Sequence, residues 1–120
     1  MNILVVEDNL DAAESLRDIL EMEGHSVVLA QSGEEGLRAH QPGRFALMLV
    51  DLKIPGMGGK ALIQQILLKE PKARIFVLTG NSVKEEIEEV QRLPVLQVIR
   101  KPYDPAVLVG LLRQLSDSIG

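Results

Sequence analysis

The sequence predicts an α/β fold, a doubly wound sheet of five parallel strands with helices on both faces. Along the 120 residues, short apolar runs alternate five times with segments whose apolar residues recur at helical spacing. The first, third and fourth runs are almost entirely apolar, which is typical of strands covered on both faces. Regular alternation of strand and helix favours parallel pairing through crossover helices.

The apolar runs predict the strands, and capping residues predict several helix ends. Strands are predicted at residues 3–6, 26–30, 46–50, 75–78 and 95–99. The first helix has one apolar face between residues 12 and 20, and Gly24 is its expected C-cap. Ser32 with Glu35 has the spacing of a capping box, and the second helix should stop before Pro42. The third helix is predicted at residues 59–69.

The last two helices carry N-terminal signals of the same kinds. Ser82 with Glu85 repeats the capping box, and a narrow apolar stripe that includes Val83 follows. Asp104 is the expected N-cap of the fifth helix, with Pro105 in its first position. We interpret the acidic run at 84–89 as a solvated helix face, with a partner surface as the lesser alternative.

Composition predicts one globular domain, residues 1–120. Hydrophobic residues make up 46% of the chain and charged residues 25%, and the length is enough for one core. The chain has no cysteine, no signal-like N-terminus and no apolar run of membrane length, which together predict a cytoplasmic protein without a membrane partner. A net charge of −4 and few aromatic residues argue against direct nucleic-acid binding.

Polar side chains follow four of the five predicted strands, at the point where each strand ends. Ligands of open parallel sheets bind beyond the carboxyl ends of the strands, so these side chains should meet on one rim. The second strand, which we place at the edge of the sheet, has no such cluster after it. The rim residues are Glu7 and Asp8 after the first strand, Asp51 after the third, Thr79 after the fourth and Lys101 after the fifth.

The predicted rim suits phosphoryl chemistry. Three carboxylates raise each other's pKa unless a cation neutralises them. Mg²⁺ fits such a site, because it prefers oxygen ligands, binds one or two carboxylates and shares a phosphate. An ammonium and a hydroxyl, from Lys101 and Thr79, would complete the surroundings of a phosphoryl group. Asp51 stands alone on a central strand and is the expected nucleophile, which would form an acyl phosphate.

Four segments of the sequence resemble one protein family. In chain order they are VVEDN at 5–9, LMLVDLKIPGMGG at 47–59, VLTGN at 77–81 and IRKPYD at 99–104. Together they are similar to the receiver domains of bacterial two-component response regulators, and the resemblance covers essentially the whole chain. It implies a chemotaxis-regulator-like, flavodoxin-like (βα)5 fold with strand order 2-1-3-4-5 and a role in signal transduction or a phosphorelay.

The resemblance also implies how the domain is phosphorylated. Asp51 would take a phosphoryl group from the phosphohistidine of a histidine kinase or of a histidine phosphotransfer domain. Thr79 would hydrogen-bond one phosphoryl oxygen, and Lys101 would pair with another. The peptide bond between Lys101 and Pro102 is expected to be cis, as is usual in this family.

The remaining implications concern the metal and the output. Glu7, Asp8 and Asp51, with the backbone carbonyl of Lys53, would bind Mg²⁺. The domain would be a switch and not an enzyme with an external substrate, since it would catalyse only its own phosphorylation and dephosphorylation. Phosphorylation would switch the face made by the fourth helix, fifth strand and fifth helix, which would bind an output domain or a second copy.

Two features depart from the usual family pattern. Val98 occupies the position where many receivers have a Tyr or Phe that swings inward and reports the phosphorylated state, so we expect an altered or weakened readout. Tyr103 does not replace that aromatic residue. The resemblance implies that Lys53 and Asn81 flank the path of the water that hydrolyses the acyl phosphate. Because Lys53 would screen the phosphoryl charge or block that path, we predict a long-lived phosphorylated form.

Three other functions are open from the residues alone. A receiver-like interaction module that does not use phosphate is favoured mildly by Val98 and opposed by the intact rim. An aspartyl-phosphate hydrolase would carry a second Asp where this chain has Lys53, and a flavin binder would need a Ser-, Thr- or Gly-rich loop where it has EDNLD. His25 and His40 are both interpreted as surface residues.

Overall fold

Five strands and five helices alternate along the part of the chain that the structure, a computed structural model, describes: residues 1–80 and 84–119, without the side chain of Glu85. The strands are β1 (Asn2–Val6), β2 (Ser26–Ala30), β3 (Leu47–Asp51), β4 (Ile75–Thr79) and β5 (Gln97–Arg100). The helices are α1 (Leu10–Met22), α2 (Gly33–Ala39), α3 (Gly58–Lys69), α4 (Lys84–Gln91) and α5 (Pro105–Ile119).

All five strands pair in parallel, in the order β2-β1-β3-β4-β5, which confirms the predicted sheet. The register aligns Val6 of β1 with Val50 of β3, and Asp51 of β3 with Leu78 of β4. The carboxyl ends of β1, β3 and β4 therefore lie side by side. No helix in the described ranges is long and apolar enough to cross a membrane.

The core has two layers because successive strand residues point to opposite faces of the sheet. Leu4, Met48 and Val77 face the layer that contains α3, while Ile3, Leu49 and Phe76 face the layer of α1 and α5. The helices close both layers with side chains that are essentially inaccessible to solvent. These include Leu62, Ile63 and Ile66 of α3, Leu16 and Leu20 of α1, and Leu108 and Leu112 of α5.

Several predicted caps are present. Gly24 has φ +88° after α1, and the N–H groups of Gly24 and His25 donate to the carbonyls of Glu21 and Leu20, the pattern of a Schellman motif. The Ser32 hydroxyl accepts from the N–H of Glu35 at 3.1 Å. The Glu35 carboxylate accepts from Gln31 N, and the Asp104 carboxylate accepts from Ala106 N at the start of α5. Asn9 also caps α1, which was not predicted.

Other predictions need correction or lie outside the described residues. β3 and β4 each end one residue later than predicted, so Asp51 and Thr79 are the last residues of their strands. The fifth strand begins two residues later than predicted, because the N–H of Val95 turns back to the carbonyl of Leu93. The Ser82–Glu85 capping box and Val83 lie outside the described residues.

The interpretation of His40 as a surface residue is wrong. This residue follows α2, is only 4% exposed, and its Nε2 lies 2.9 Å from the Glu70 carboxylate after α3. His25 is half-buried, with its Nδ1 2.9 Å from the N-terminal amino group of Met1. Burial, and then that neighbouring ammonium, lower the pKa of His25.

Candidate phosphorylation site

The carboxyl ends of β1, β3 and β4 place buried polar groups at one end of the sheet. Glu7, directly after β1, is 1% exposed, and its N–H is held by the carbonyl of Ala30 at 3.0 Å. Asp51 is 5% exposed and Thr79 is 1% exposed, whereas Asp8 is exposed. Glu7, Asp51 and Thr79 each lie at or directly after the end of an apolar strand, and that strand fixes the polar side chain at the rim.

Lys101 joins the rim from the loop after β5. Its Nζ donates to Glu7 Oε1 at 2.6 Å and to Asp51 Oδ2 at 2.7 Å, and its N–H donates to the carbonyl of Thr79 at 2.8 Å. The bond to Pro102 is cis, as the resemblance implied. Burial alone would lower the pKa of Lys101, but the hydrogen bonds and charges of the two carboxylates outweigh it and raise the pKa.

The acidic cluster has the composition of a cation site. One oxygen from each of Glu7, Asp8 and Asp51 lies within 4.8 Å of the other two. Glu7 Oε2 is buried and has no hydrogen-bond partner among the described residues. Burial, followed by the neighbouring Asp51 carboxylate, raises the pKa of Glu7 to about 7, although Lys101 lowers it. A hard divalent cation would offset the repulsion between the three carboxylates and would bind the unpaired Glu7 oxygen.

The loop from Asp51 to α3 is fixed at its base by backbone contacts. The N–H of Lys53 donates to Asp51 Oδ1 at 3.0 Å, which orients the carboxylate, and the N–H of Gly59 donates to the carbonyl of Leu52 at 3.1 Å. A Cβ at Gly59 would lie 2.5 Å from the carbonyl oxygen of Asp51, so only glycine fits this approach. The second glycine of the GG pair therefore holds α3 against the site.

The tip of the same loop is held by α2, which the sequence did not reveal. Glu34 accepts a hydrogen bond from the N–H of Met57 at 2.6 Å, across 23 positions of sequence, and the N–H of Gly33 donates to the carbonyl of Pro55 at 3.4 Å. No local pattern links these residues, since only the packing of α2 beside α3 brings them together.

Three further residues near the rim, Lys53, Gly80 and Val98, have different surroundings. The side chain of Lys53 is exposed, and a Cβ at Gly80 would come no closer than 4.0 Å to Lys101, so a methyl group would fit there. Val98 is half-buried, pairs with Val77 in the sheet and packs against the α3-side layer. Asn81 lies outside the described residues.

The exposed face of α4 is acidic, as predicted. Glu86 and Glu88 are exposed, while Ile87 and Val90 are buried. Glu89 receives a 2.7 Å hydrogen bond from Lys60 of α3, which lowers the pKa of the glutamate. The described part of α4 is therefore attached by a narrow apolar stripe and this exposed ion pair.

A doubly wound sheet with this rim belongs to the class of signalling domains that are phosphorylated on an aspartate. The chain is a member of the response regulator receiver domain family, whose model matches residues 3–113. Members of this family serve two-component signalling, in which a kinase phosphorylates the receiver on an aspartate.

Known proteins of this family are similar to the chain over most of its length. A response regulator receiver protein of Anaeromyxobacter is 35% identical over 99 residues, which are 82% of this chain and 42% of that protein. The chain spans less than half the length of this relative. A CheY-like receiver domain structure from Methanospirillum hungatei is 29% identical with a TM-score of 0.89, over 97% of this chain and 94% of that one.

One of the similar solved structures contains magnesium. It is the receiver domain of a sensor histidine kinase of Pseudomonas aeruginosa, with a magnesium ion coordinated in its active-site cleft. It is 25% identical, has a TM-score of 0.86, and the match covers 95% of each chain.

Proposed function

We propose that Asp51 is the phosphoacceptor of this receiver domain. The observation that carries the proposal is the contact between Asp51 Oδ2 and Lys101 Nζ at 2.7 Å, at a strand end where Asp51 is only 5% exposed. The other oxygen, Oδ1, is held by the N–H of Lys53. The carboxylate is thus oriented before any phosphodonor arrives, and an oriented nucleophile lowers the entropic part of a reaction barrier.

The same site is suited to Mg²⁺, which we propose as the cofactor. The residues that would hold it are Glu7, Asp8 and Asp51 with the backbone carbonyl of Lys53, and the unpaired Glu7 Oε2 supports this assignment. A bound Mg²⁺ supplies positive charge that offsets the carboxylates and the phosphoryl oxygens.

Lys101 and Thr79 would act on the phosphoryl group itself. The Lys101 ammonium already lies against Asp51 and would pair with a phosphoryl oxygen, while the buried Thr79 hydroxyl would donate to another. The domain would catalyse only its own phosphorylation and dephosphorylation. Thr79 is the last residue of β4 and Lys101 directly follows β5, the neighbouring strand, so both lie at the rim that carries Asp51.

We propose a histidine kinase or a histidine phosphotransfer domain as the phosphodonor, and residues 1–120 as one receiver unit in the cytoplasm. The face of α4, β5 and α5 is the proposed output surface, for an output domain or a second copy. Val98 on β5 has no ring to swing, and an altered readout stays a prediction.

Phosphorylation by a small donor tests the proposal. Incubation with Mg²⁺ and acetyl phosphate should add the mass of one phosphate to the intact chain, and chelation of Mg²⁺ should prevent it. Asp51→Ala should gain no phosphate. The matched control is Asp18→Ala, which removes an exposed acidic residue of α1 and should gain phosphate like the wild type. A wild-type chain without any mass gain would refute the proposal and favour the phosphate-independent module.

A further inference from the structure

We infer that Glu34 is a positioning residue for the phosphorylation site and acts through the loop between β3 and α3. The inference rests on the proposed function, because this loop carries Lys53, whose carbonyl is a proposed Mg²⁺ ligand. Glu34 itself lies on α2 and outside the cluster formed by the rim carboxylates.

The loop needs support from outside because its own backbone is permissive. Gly56 and Gly58 both have φ +80°, a left-handed conformation that favours glycine and leaves the unfolded loop many alternatives. Its base is tied by Lys53 N to Asp51 and by Gly59 N to Leu52. Neither contact reaches the tip, residues 55–57.

The first turn of α2 supplies the contacts at the tip. The Glu34 carboxylate accepts from the N–H of Met57 at 2.6 Å, and the Gly33 N–H reaches the carbonyl of Pro55. The fit is close, since a Cβ at Gly56 would overlap the Glu34 carboxylate and a Cβ at Gly33 would overlap the Met57 side chain. A hydrogen bond from an N–H to an ionised carboxylate is stronger than one between neutral groups.

These contacts fix both ends of the short segment that contains the Lys53 carbonyl. Asp51 anchors the segment on the sheet, and Glu34 anchors it on α2 through Met57. When the second anchor is removed, the carbonyl should sample more positions and Mg²⁺ should bind more weakly. Chemistry at saturating Mg²⁺ should change little, because Glu34 touches none of the reacting groups.

The Mg²⁺ dependence of phosphorylation by acetyl phosphate tests the inference. Glu34→Ala should raise the half-saturating Mg²⁺ concentration about three- to tenfold, the effect of one lost hydrogen bond, with a nearly unchanged maximal rate. Glu34→Gln keeps an acceptor oxygen and should recover most of the loss. Glu35→Ala is the matched control, since Glu35 is one residue away and its carboxylate accepts from Gln31 N, just before its own helix, and not from the loop.

Amide hydrogen exchange without metal gives a second readout. Exchange in residues 52–57 should be faster in Glu34→Ala than in the wild type, and unchanged in Glu35→Ala. The inference would be overturned if Glu34→Ala showed the same Mg²⁺ dependence and exchange as the wild type, or if Glu34→Ala and Glu35→Ala changed equally. Neither result would affect the proposed function. A wild-type chain that gains no phosphate would overturn the proposed function itself.

Discussion

Glu7 should destabilise the metal-free domain at alkaline pH, so Glu7→Gln should stabilise it. Glu7 is 1% exposed, one of its carboxylate oxygens has no partner among the described residues, and burial with the neighbouring Asp51 raises its pKa from 4.5 to about 7. A neutral amide at this position removes the buried charge. Its Oε1 can still accept from Lys101, whose Nζ lies 2.6 Å away in the wild type.

The sign follows from proton linkage. The folded state holds the Glu7 proton up to about pH 7, whereas the unfolded chain loses it near 4.5. Between these values the folded state binds more protons, so the contribution of Glu7 to stability is greatest below pH 4.5 and is lost as the pH rises through 7. The pKa shift of Glu7 corresponds to a loss of roughly 3 kcal/mol in the free energy of unfolding between these pH values. Because Glu7 is coupled to Asp51 and Lys101, Glu7→Gln should recover about 1–3 kcal/mol of that loss.

Urea unfolding with a chelator, at about pH 5 and about pH 8, measures this difference. Glu7→Gln should match the wild type near pH 5 and exceed it in free energy of unfolding near pH 8. Added Mg²⁺ should stabilise the wild type and reduce that advantage, since a ligand that binds only the folded state adds stability. A variant less stable than the wild type near pH 8 without metal would refute the reasoning.

Four further substitutions test other parts of the account. Gly59→Ala should lower the free energy of unfolding by about 1–3 kcal/mol, because its Cβ would press on the carbonyl of Asp51. Gly110→Ala within α5 should raise it by about 0.5–1 kcal/mol, because its Cβ would meet no described atom within 4 Å outside its own helix. Urea unfolding of the two glycine variants checks the pair, and equal effects would contradict it. Asp104→Ala should cost about 1 kcal/mol through loss of the cap on Ala106, seen as a lower unfolding midpoint. Lys53→Ala should shorten the lifetime of the acyl phosphate, followed by intact mass after the donor is removed; an equal or longer lifetime would sink the idea that Lys53 shields the phosphoryl group.

The element order and the rim could be predicted because both depend on local signals. An apolar run predicts a strand wherever it lies between capping residues, and parallel strands bring their carboxyl ends to one edge whatever the loops do. The caps at Ser32, Asp104 and Gly24 could be predicted for the same reason, since each cap forms hydrogen bonds within four residues of its own position. Asn9 carried the same kind of signal and could have been found.

Features that depend on distant parts of the chain could not be predicted. His40 follows a short helix and resembles a solvated residue, but it is buried against Glu70, 30 positions away. Glu34 resembles any acid in a first helical turn, and its contact with Met57 exists only because α2 and α3 are neighbours. Val95 and Leu96 are apolar and suggested an earlier start of β5. The N–H of Val95 instead turns back to the carbonyl of Leu93, and Gln97, opposite Phe76 of β4, is the first residue in strand register.

The most direct test of the central claim is the position of the phosphate. After phosphorylation by acetyl phosphate and reduction of the acyl phosphate with borohydride, trypsin should release residues 45–53, a peptide with Asp51 as its one carboxylate side chain. The account predicts that this peptide contains homoserine in place of Asp51. It also predicts that Glu7 and Asp8 are unmodified in the tryptic peptide of residues 1–17. Modification of the N-terminal peptide, or of neither peptide in a chain that has gained phosphate, would contradict it.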